Sequence, residues 1–230
     1  MGKIIKKLIL VVILCGCIVI SIFFGLGYFN HLRVTDEISI QEKVEEIKEQ
    51  PSYVSLDEIS DDLLDATVAI EDHRFYRHNG VELCSMVRAL LQNIAAGEIV
   101  GGGSTITQQL AKNLYYSYDQ SYLRKFSEIF TAYALEKELS KDEILELYVN
   151  VINYGDNHIG ISQAAEGYFD KKPMDLTLDE ATLLAGLPQS PSNYQLSDHY
   201  EAAKQRQEQV LEAMAKENMI TESEINSILK

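Results

Sequence analysis

A run of 22 uncharged residues near the N-terminus limits what this chain can fold into more than any other feature. It extends from Leu8 to Phe29 and reads LILVVILCGCIVISIFFGLGYF. A helix of this length spans the roughly 30 Å hydrocarbon core of a bilayer. Few positive charges follow the run closely, and three lysines precede it: Lys3, Lys6 and Lys7. The positive-inside rule therefore predicts a cytoplasmic N-terminus and a domain on the outer face of the membrane.

Two other interpretations of this run fit it less well. A cleaved signal peptide usually has a shorter apolar core and a small-residue cleavage site, which this run lacks. The stretch LCGC at positions 14–17 resembles a lipoprotein acylation site, but twelve mainly apolar residues follow Cys17. Cys84 is the only cysteine outside the run, so no intramolecular disulfide can form in the outer domain. We expect Cys84 to be a buried, inert thiol.

The rest of the chain has the composition of a folded, acidic domain. Of the 230 residues, 46% are hydrophobic and 24% are charged, which suits a packed core. The formal net charge of −15 disfavours nucleic acid as a partner, so an anionic substrate needs a local cationic pocket. We predict a cytoplasmic tail over 1–7, a transmembrane helix over 8–29, a stalk over 30–54 and one domain over 55–230.

Capping signals and helical periodicity predict a mainly α domain. Apolar residues recur along 123–139 at the spacing of one helical face, and no segment alternates in the manner of a strand. Side chains suited to helix N-caps are Ser60, Ser104, Ser140 with Glu143, Thr177 with Glu180, and Thr221 with Glu224.

The segment EDHRFYRHNG, residues 71–80, is a candidate catalytic corner or a solvated helix end. A carboxylate such as Glu71 at the mouth of a cleft can take a proton from a hydroxyl nucleophile. His73 and His78 are five residues apart, so they do not share a helical face as a zinc-binding pair would.

Two further segments are candidates for binding an anion. GGGSTITQQLAKN, residues 101–113, joins a glycine-rich loop to a helix N-terminus, which suits a phosphate group, and Lys112 adds a charge. It lacks the ending of a P-loop, and an ordinary glycine loop is the alternative. RKFSE, residues 124–128, is either an exposed ion pair or a second carboxylate with two cations facing the cleft.

The order and spacing of five motifs are more specific than any one of them. They are ED-x-x-F-x-x-H-x-G at 71–80, GGST-x-TQQ-x-x-KN at 102–113, RK-x-x-E at 124–128, ILE-x-Y-x-N at 144–150 and GLPQSPS-x-Y at 186–194. Together they resemble the family 51 peptidoglycan glycosyltransferases, which include the transglycosylase domains of bifunctional penicillin-binding proteins and monofunctional relatives. The resemblance covers about residues 55–200.

The resemblance implies a fold, a reaction and a location. The expected fold is mainly α and lysozyme-like, with a small membrane-contacting lobe, preceded here by one N-terminal transmembrane helix. The expected reaction polymerises lipid II into β-1,4 glycan strands by inverting transfer, with release of undecaprenyl diphosphate. The expected partners are lipid II, the growing glycan chain, membrane lipid and cell-wall synthesis proteins. The expected location is the cytoplasmic membrane, in a single pass with the catalytic domain outside.

The resemblance also implies roles for individual residues. Glu71 is the general base, and Glu128 is a second carboxylate that helps bind the pyrophosphate, directly or through an optional Mg or Mn ion. No cofactor is obligatory. Lys112 and Arg124 neutralise the diphosphate, with Lys125 a weaker candidate. Residues expected to line the groove are Ser104, Gln108 and Asn113, and those expected to shape the site are Asp72, Phe75, His78 and Gly80.

Some features depart from the family pattern or stay open. Many relatives carry basic residues where this chain has Gln120 and Ser127, which predicts a less cationic donor site. An aromatic cluster suited to the headgroup level, or to the core, comprises Leu114, Tyr115, Tyr116, Tyr118 and Tyr122. Ser227 to Lys230 match S-x-x-K, but K-T-G and S-D-N do not follow, so we expect a monofunctional protein. A lysozyme-like hydrolase and an inactive membrane-anchored scaffold are the alternative functions.

Overall fold

The computed structural model describes residues 2–97, 102–116 and 121–230, and within these ranges every regular element is helical. A single isolated bridge joins Asn153 to Ile159. The predicted mainly α class is therefore confirmed. The helices are α1 Gly2–Glu37, α2 Ile40–Lys48, α3 Asp61–Glu71, α4 Leu83–Ala96, α5 Ile106–Tyr115, α6 Tyr122–Glu138, α7 Lys141–Val151, α8 Ile161–Phe169, α9 Leu178–Gly186, α10 Pro191–Tyr194, α11 Tyr200–Lys216 and α12 Glu222–Ile228.

The N-terminal helix α1 extends beyond the predicted membrane span. It is 36 residues long, and among the described residues it is the one helix long and apolar enough to cross a membrane. The segment predicted as a stalk is largely helical, because α1 continues to Glu37 and α2 follows almost at once. Ile40 and Ile47 of α2 are buried in the domain core. This segment is therefore packed against the domain, where the sequence had suggested a polar connection.

Capping boxes begin five of the helices. Those at Ser140, Thr177 and Thr221 match the prediction, and Ser39 caps α2 in the same way. The cap of α5 is Thr105 rather than Ser104, with Gln108 as the reciprocal partner. Ser60 occupies the N-cap position of α3 without a side-chain hydrogen bond to the helix.

Two groups of helices build the core and leave a cleft between them. Helix α3 packs against α9 and α11, and α5 packs against α6 and α7. Fully buried side chains at the centre include Leu63, Leu110, Leu135, Tyr148 and Tyr154. The C-terminal end of α3 and the N-terminal end of α5 consequently meet at one side of the molecule.

The apolar stripe of α6 does not face this core. Phe126 and Phe130 contact aromatic side chains of α1, and Tyr133 is 45% exposed. Leu135 of α6 lies in the domain core, while the buried hydroxyls of Ser127 and Thr131 meet Asn30 and His31 of α1. The helix was predicted correctly, but its apolar side belongs to the contact with α1.

Three predicted environments can be compared with the structure. Cys84 is exposed, so the prediction of a buried thiol is wrong; it lies on the first turn of α4. Tyr116 is buried and pairs with the hydroxyl of Thr131, while Tyr115 donates to the Ile38 carbonyl. These two tyrosines therefore pack against the protein core, which was the alternative to a position at the lipid headgroups. Tyr118 and the side chain of Tyr122 lie outside the described residues.

We predict that Gly160→Ala destabilises the protein far more than Gly97→Ala. Both glycines have positive φ, 82° and 73°, but a Cβ at Gly160 would lie 2.4 Å from the Asn150 carbonyl oxygen, whereas Gly97 faces open space. The left-handed conformation alone costs about 1–2 kcal/mol. Gly97→Ala should therefore lower the thermal midpoint by roughly 2–8 °C, and Gly160→Ala by clearly more, as measured by circular dichroism in detergent. Equal decreases of the thermal midpoint in the two variants would contradict the close packing of Gly160 against Asn150.

Candidate active site

A polar cleft of about 390 Å³ contains most of the predicted site residues. It lies between the end of α3, the glycine-rich loop, α5, α6 and the turn after α9, with α11 behind. The side chains and glycine that line it are Ile70, Glu71, Gly102, Ser104, Gln108, Gln109, Lys112, Arg124, Lys125, Glu128, Pro188, Gln189 and Arg206. Most of the predicted reactive and anion-binding residues thus meet in one place.

Glu71 is the last residue of α3, and its side chain is only 10% exposed. One carboxylate oxygen, Oε2, accepts a hydrogen bond of 2.6 Å from Gln109 Nε2. The other, Oε1, has no hydrogen-bond partner among the described residues, and Arg206 Nη2 lies 3.9 Å from it. Burial raises the pKa of Glu71 against the opposing effects of Gln109 and Arg206. An unpaired oxygen in this setting can accept a proton.

Glu128 has a different environment, because cations approach both of its oxygens. Lys125 Nζ donates to Oε2 over 2.8 Å, and Arg124 Nε lies 3.0 Å from Oε1. The Glu128 side chain is 2% exposed, whereas those of Arg124 and Lys125 are 26% and 40% exposed. Lys125 also donates to Ser104 Oγ over 2.7 Å, which ties α6 to the glycine-rich loop. Glu128 therefore holds two cations toward the cleft.

The predicted site-shaping residues fix α5 against the end of α3. Both Asp72 oxygens lie 2.9 Å from His78 Nε2, and Oδ2 also accepts from the backbone N–H of Ile106, the first residue of α5. Burial raises the pKa of Asp72, and His78 opposes this effect. The Thr105 hydroxyl donates to the Gly80 carbonyl over 2.6 Å. These contacts orient the helix that carries Gln108, Gln109 and Lys112.

Phe75 and Gly80 act through packing. Phe75 is fully buried, and Lys141 Nζ lies 4.3 Å above its ring. Gly80 has a φ of 82°, and a Cβ there would lie 3.0 Å from the Ala132 carbonyl oxygen. Neither residue lines the cleft, in agreement with a shaping role rather than a contact with substrate.

A second, smaller cleft of about 170 Å³ lies on the other side of Glu71. The two clefts share Ile70, Glu71, Gly102 and Ser104. The residues found only in the second are Asp72, His73, Glu82, Ser85, Arg88, Ala89, Gln92, Gly103 and Thr105. Glu71 and the glycine-rich loop thus stand between two spaces.

Comparison with known proteins agrees with the motifs. A sequence model of the transglycosylase family, described as "Transglycosylase", matches residues 39–215, which is more than half of the chain. The chain belongs to the transglycosylase family.

Relatives at high identity are much longer proteins. Penicillin-binding protein 1A of Neisseria flavescens is 45% identical over 183 residues, covering 80% of this chain and 23% of the relative. Penicillin-binding protein 1F of Bacillus subtilis is 42% identical over 171 residues, covering 74% of this chain and 24% of the relative. The chain thus spans about a quarter of the length of these relatives. The crystal structure of penicillin-binding protein 1A from Haemophilus influenzae is 31% identical and superposes with a TM-score of 0.38 over 54% of this chain and 15% of that one.

One residue predicted from the transglycosylase motifs lies elsewhere. Asn113 follows Lys112 on α5 but lines a separate cleft with Lys43, Asn150 and Ile159. Consecutive residues of a helix are turned by about 100°, and here this rotation directs Asn113 toward α2 and α7. The structure does not bring Asn113 to the other predicted residues.

Two positions at which we expected family members to be basic are neutral here. Ser127 is fully buried, and its hydroxyl accepts a hydrogen bond from Asn30 Nδ2 of α1. Its side chain therefore faces α1 and does not line the cleft. A neutral residue at this position consequently removes no positive charge from the cleft. Gln120 lies outside the described residues.

The transglycosylase motifs also miss Arg206, whereas Gln109 lies within the second motif but was given no role of its own. Arg206 is buried on the face of α11 that carries Ala203, Val210 and Met214. A charged residue within an apolar stripe was the available signal. Gly186 of α9 leaves room for Arg206, because a Cβ there would lie 2.9 Å from the Arg206 Cγ. The arginine approaches Glu71 from behind the cleft.

The described part of the cleft does not fit a divalent cation held by protein side chains alone. Magnesium and related ions need several oxygen ligands, and Glu128 offers one carboxylate with a cation at each oxygen. Among residues 2–97, 102–116 and 121–230, no group of three or more His, Cys, Asp or Glu could hold a metal ion. The expectation of Mg or Mn near Glu128 stays an untested prediction.

We expect the destabilisation caused by Arg206→Met to increase with pH. Losing the guanidinium raises the folded-state pKa of Glu71 further above its unfolded value near 4.3. A carboxyl group with a raised folded pKa loses stability as pH rises between these two values. Denaturant unfolding in detergent should therefore give a larger loss at pH 8 than at pH 5.

A double-mutant cycle isolates this contact. In a Glu71→Gln background the effect of Arg206→Met should no longer depend on pH, and the coupling energy at pH 8 should be about 1–2 kcal/mol. Lys204→Met is the matched control, since this lysine lies on the same helix and pairs instead with Asp179. A pH dependence that persisted without Glu71 would rule out the assigned contact.

Proposed function

We propose that this protein is a peptidoglycan glycosyltransferase that polymerises lipid II into β-1,4 glycan strands. The observation that carries the proposal is the cleft itself, where an unpaired, buried carboxylate oxygen of Glu71 faces the same space as three cationic side chains, those of Lys112, Arg124 and Lys125. Transfer of a sugar from a lipid diphosphate requires a base for the attacking hydroxyl and positive charge for the leaving group. Both requirements are met in one cleft of a transglycosylase family member.

Glu71 Oε1 takes the proton from the 4-hydroxyl of the acceptor sugar as that oxygen attacks C1 of the donor. The C1–oxygen bond forms while the bond from C1 to the diphosphate breaks, with inversion at C1. Gln109 holds the other carboxylate oxygen, which fixes the direction of Oε1. Burial raises the pKa of Glu71, and Gln109 and Arg206 oppose this effect, which favours the ionised carboxylate that the proposed reaction needs.

The leaving undecaprenyl diphosphate is stabilised by Lys112, Arg124 and Lys125. Glu128 holds two of these cations without neutralising the exposed Lys112 on the facing helix. The unpaired Nε2 of the buried Gln108 is a further donor to the cleft. The two clefts on either side of Glu71 provide separate places for the donor chain and the acceptor.

The alternatives fit these contacts less well. An inverting or retaining hydrolase of the lysozyme type uses one carboxylic acid in its protonated form together with a second carboxylate. Both oxygens of Glu128 are instead engaged by Arg124 and Lys125, so neither faces a glycosidic oxygen freely. A scaffold without activity would gain nothing from a buried, unpaired carboxylate oxygen, since such groups cost stability.

The proposed location follows from α1 and from charge. Crossing the cytoplasmic membrane once, with the basic N-terminus inside, places the cleft on the outer face. Its partners there are lipid II, the growing glycan chain, membrane lipid and cell-wall synthesis proteins. The acidic balance of the chain argues against nucleic acid as a partner.

Glu71→Gln should lower polymerisation at least about 100-fold, because the amide cannot accept the hydroxyl proton. The assay is gel separation of products from labelled lipid II and full-length protein in detergent. The acidic limb of the wild-type rate profile should lie above the ordinary glutamate range, since burial raises the pKa of Glu71. Glu212→Gln, at an exposed position of α11, should leave the rate unchanged. Polymer formation at the wild-type rate in Glu71→Gln would refute the assigned base.

Lys112→Ala should weaken binding of the lipid diphosphate and of inorganic pyrophosphate by about tenfold, equivalent to roughly 1.4 kcal/mol. The lysine is exposed in the cleft, so its loss should mainly remove a charge and leave the fold intact. Lys216→Ala makes the same change at an exposed position of α11, and its binding should match wild type. Pyrophosphate affinity can be measured by calorimetry. Equal affinities for the two variants would exclude Lys112 as a ligand of the diphosphate.

A further inference from the structure

The outer half of α1 lies directly against α6, the helix that carries Arg124, Lys125 and Glu128. At Gly27 the two backbones are so close that a Cβ would lie 2.6 Å from Phe126 Cβ and 2.9 Å from the Phe126 carbonyl carbon. Phe23 stacks on Phe126 with ring centroids 5.5 Å apart. Tyr28 meets Phe130 edge-on at 5.2 Å. The two helices are thus packed as closely as helices within a single domain.

Polar contacts continue the packing one turn further along α1. Asn30 Nδ2 donates to Ser127 Oγ over 3.0 Å, and Arg33 Nη2 donates to Asn30 Oδ1, which orients the amide. His31 Nδ1 lies 2.9 Å from Thr131 Oγ1. Ser127 and Thr131 are both fully buried. Hydrogen bonds to buried groups are directional, so they specify one rotation and one height of α6 against α1.

The cleft side of α6 depends on that rotation and height. Ser127 and Glu128 are neighbours in sequence, so their side chains leave the helix about 100° apart. A shift of one residue along the axis moves every side chain by about 1.5 Å. Such a shift would separate Lys125 Nζ from Ser104 Oγ, which lies 2.7 Å away on the glycine-rich loop, and would displace Glu128 from its buried position.

We propose that residues 23–35 of α1 form a positioning element for the cleft, in addition to any role as an anchor. Gly27 permits the close approach, and Asn30 with Ser127 sets the register of α6. Through that register they hold Arg124 and Lys125 where a diphosphate binds, an identification of the ligand that rests on the proposed function. Gly27 and Asn30 meet the domain at Phe126 and Ser127, neither of which lines the cleft, so these two residues act through α6.

A flexible tether would not need these contacts. Residues of α1 before this segment, such as Leu14 and Ile18, are more than half exposed. The change in burial begins at Phe23 and is complete at Gly27 and His31, which repeat at the spacing of one helical face. The part of α1 nearest the domain therefore packs as one of the domain's own helices.

The test compares two glycine variants of the full-length protein in detergent. Gly27→Ala inserts a methyl group between the helices, whereas Gly25→Ala makes the same change where no atom lies within 4 Å. Hydrogen exchange over residues 123–131 should rise several-fold in Gly27→Ala and stay unchanged in Gly25→Ala. Exchange over α7 should be the same in both variants. Unchanged exchange over 123–131 in Gly27→Ala would overturn the proposal.

The polar contact is tested with Asn30→Leu, Ser127→Ala and the double variant, all of which keep α1 apolar and able to enter a membrane. Each single variant should weaken inorganic pyrophosphate binding three- to tenfold. The double variant should have about the same affinity as the single variant that binds less tightly. The KM for lipid II should rise with little change in kcat. Affinities equal to wild type, or fully additive losses, would show that the pair does not position the cations.

These measurements separate the inference from the proposed function. Wild-type protein that binds pyrophosphate but forms no polymer would refute the glycosyltransferase and leave the positioning role supported by the variants. If wild-type protein bound no pyrophosphate, the proposed diphosphate site would be refuted. The hydrogen-exchange comparison of Gly27→Ala with Gly25→Ala would then test by itself whether α1 positions α6.

Discussion

The burial of the Glu128 carboxylate is the constraint on which the rest of the cleft depends. Removing an ionised carboxylate from water costs several kcal/mol unless cations and hydrogen bonds compensate for the lost hydration. Arg124 and Lys125 provide this compensation from the same helix, and Lys125 reaches Ser104 at the same time. The long side chains of both cations are thereby held in one arrangement. A glycine-rich loop, a helix and a charged surface are joined through one acidic group.

Two carboxylates in one cleft acquire opposite properties from their surroundings. Glu128 is surrounded by positive charge at hydrogen-bonding distance, whereas Glu71 has one amide donor and an arginine at 3.9 Å. Pairs of acidic groups whose environments differ in this way commonly divide the chemical roles between them. In the proposed reaction, one carboxylate accepts a proton and the other holds the cations that receive an anion. The acidic net charge of the chain does not prevent this, because the cations are local and held in place.

Much of the fold and of the cleft follows from the sequence. The capping boxes at Ser140, Thr177 and Thr221 depend on contacts three residues apart, so local pattern is sufficient to locate them. The meeting of Glu71, Lys112, Arg124 and Glu128 was predictable only through the resemblance, since those residues are distant in sequence. The direction in which each side chain points could not be predicted from the sequence. Asn113 turns away from the cleft, and Ser127 turns toward α1, because helix rotation is fixed by tertiary packing. The apolar stripe around Arg206 was a local signal of its burial, but the sequence could not identify Glu71 as its partner, because the two residues are far apart in the chain.

The packing of α1 on α6 also sets how deep the domain sits. The uncharged part of α1 begins at Leu8, and its contacts with α6 begin at Phe23. The fifteen residues between them rise about 22 Å as a helix, which is roughly 8 Å less than the hydrocarbon thickness of a bilayer. A bilayer around α1 must therefore also surround the first turns of α6. For the proposed reaction this means that the cations at the start of α6 lie close to the membrane, so a lipid-linked diphosphate would reach them by lateral diffusion with its hydrocarbon tail still in the bilayer.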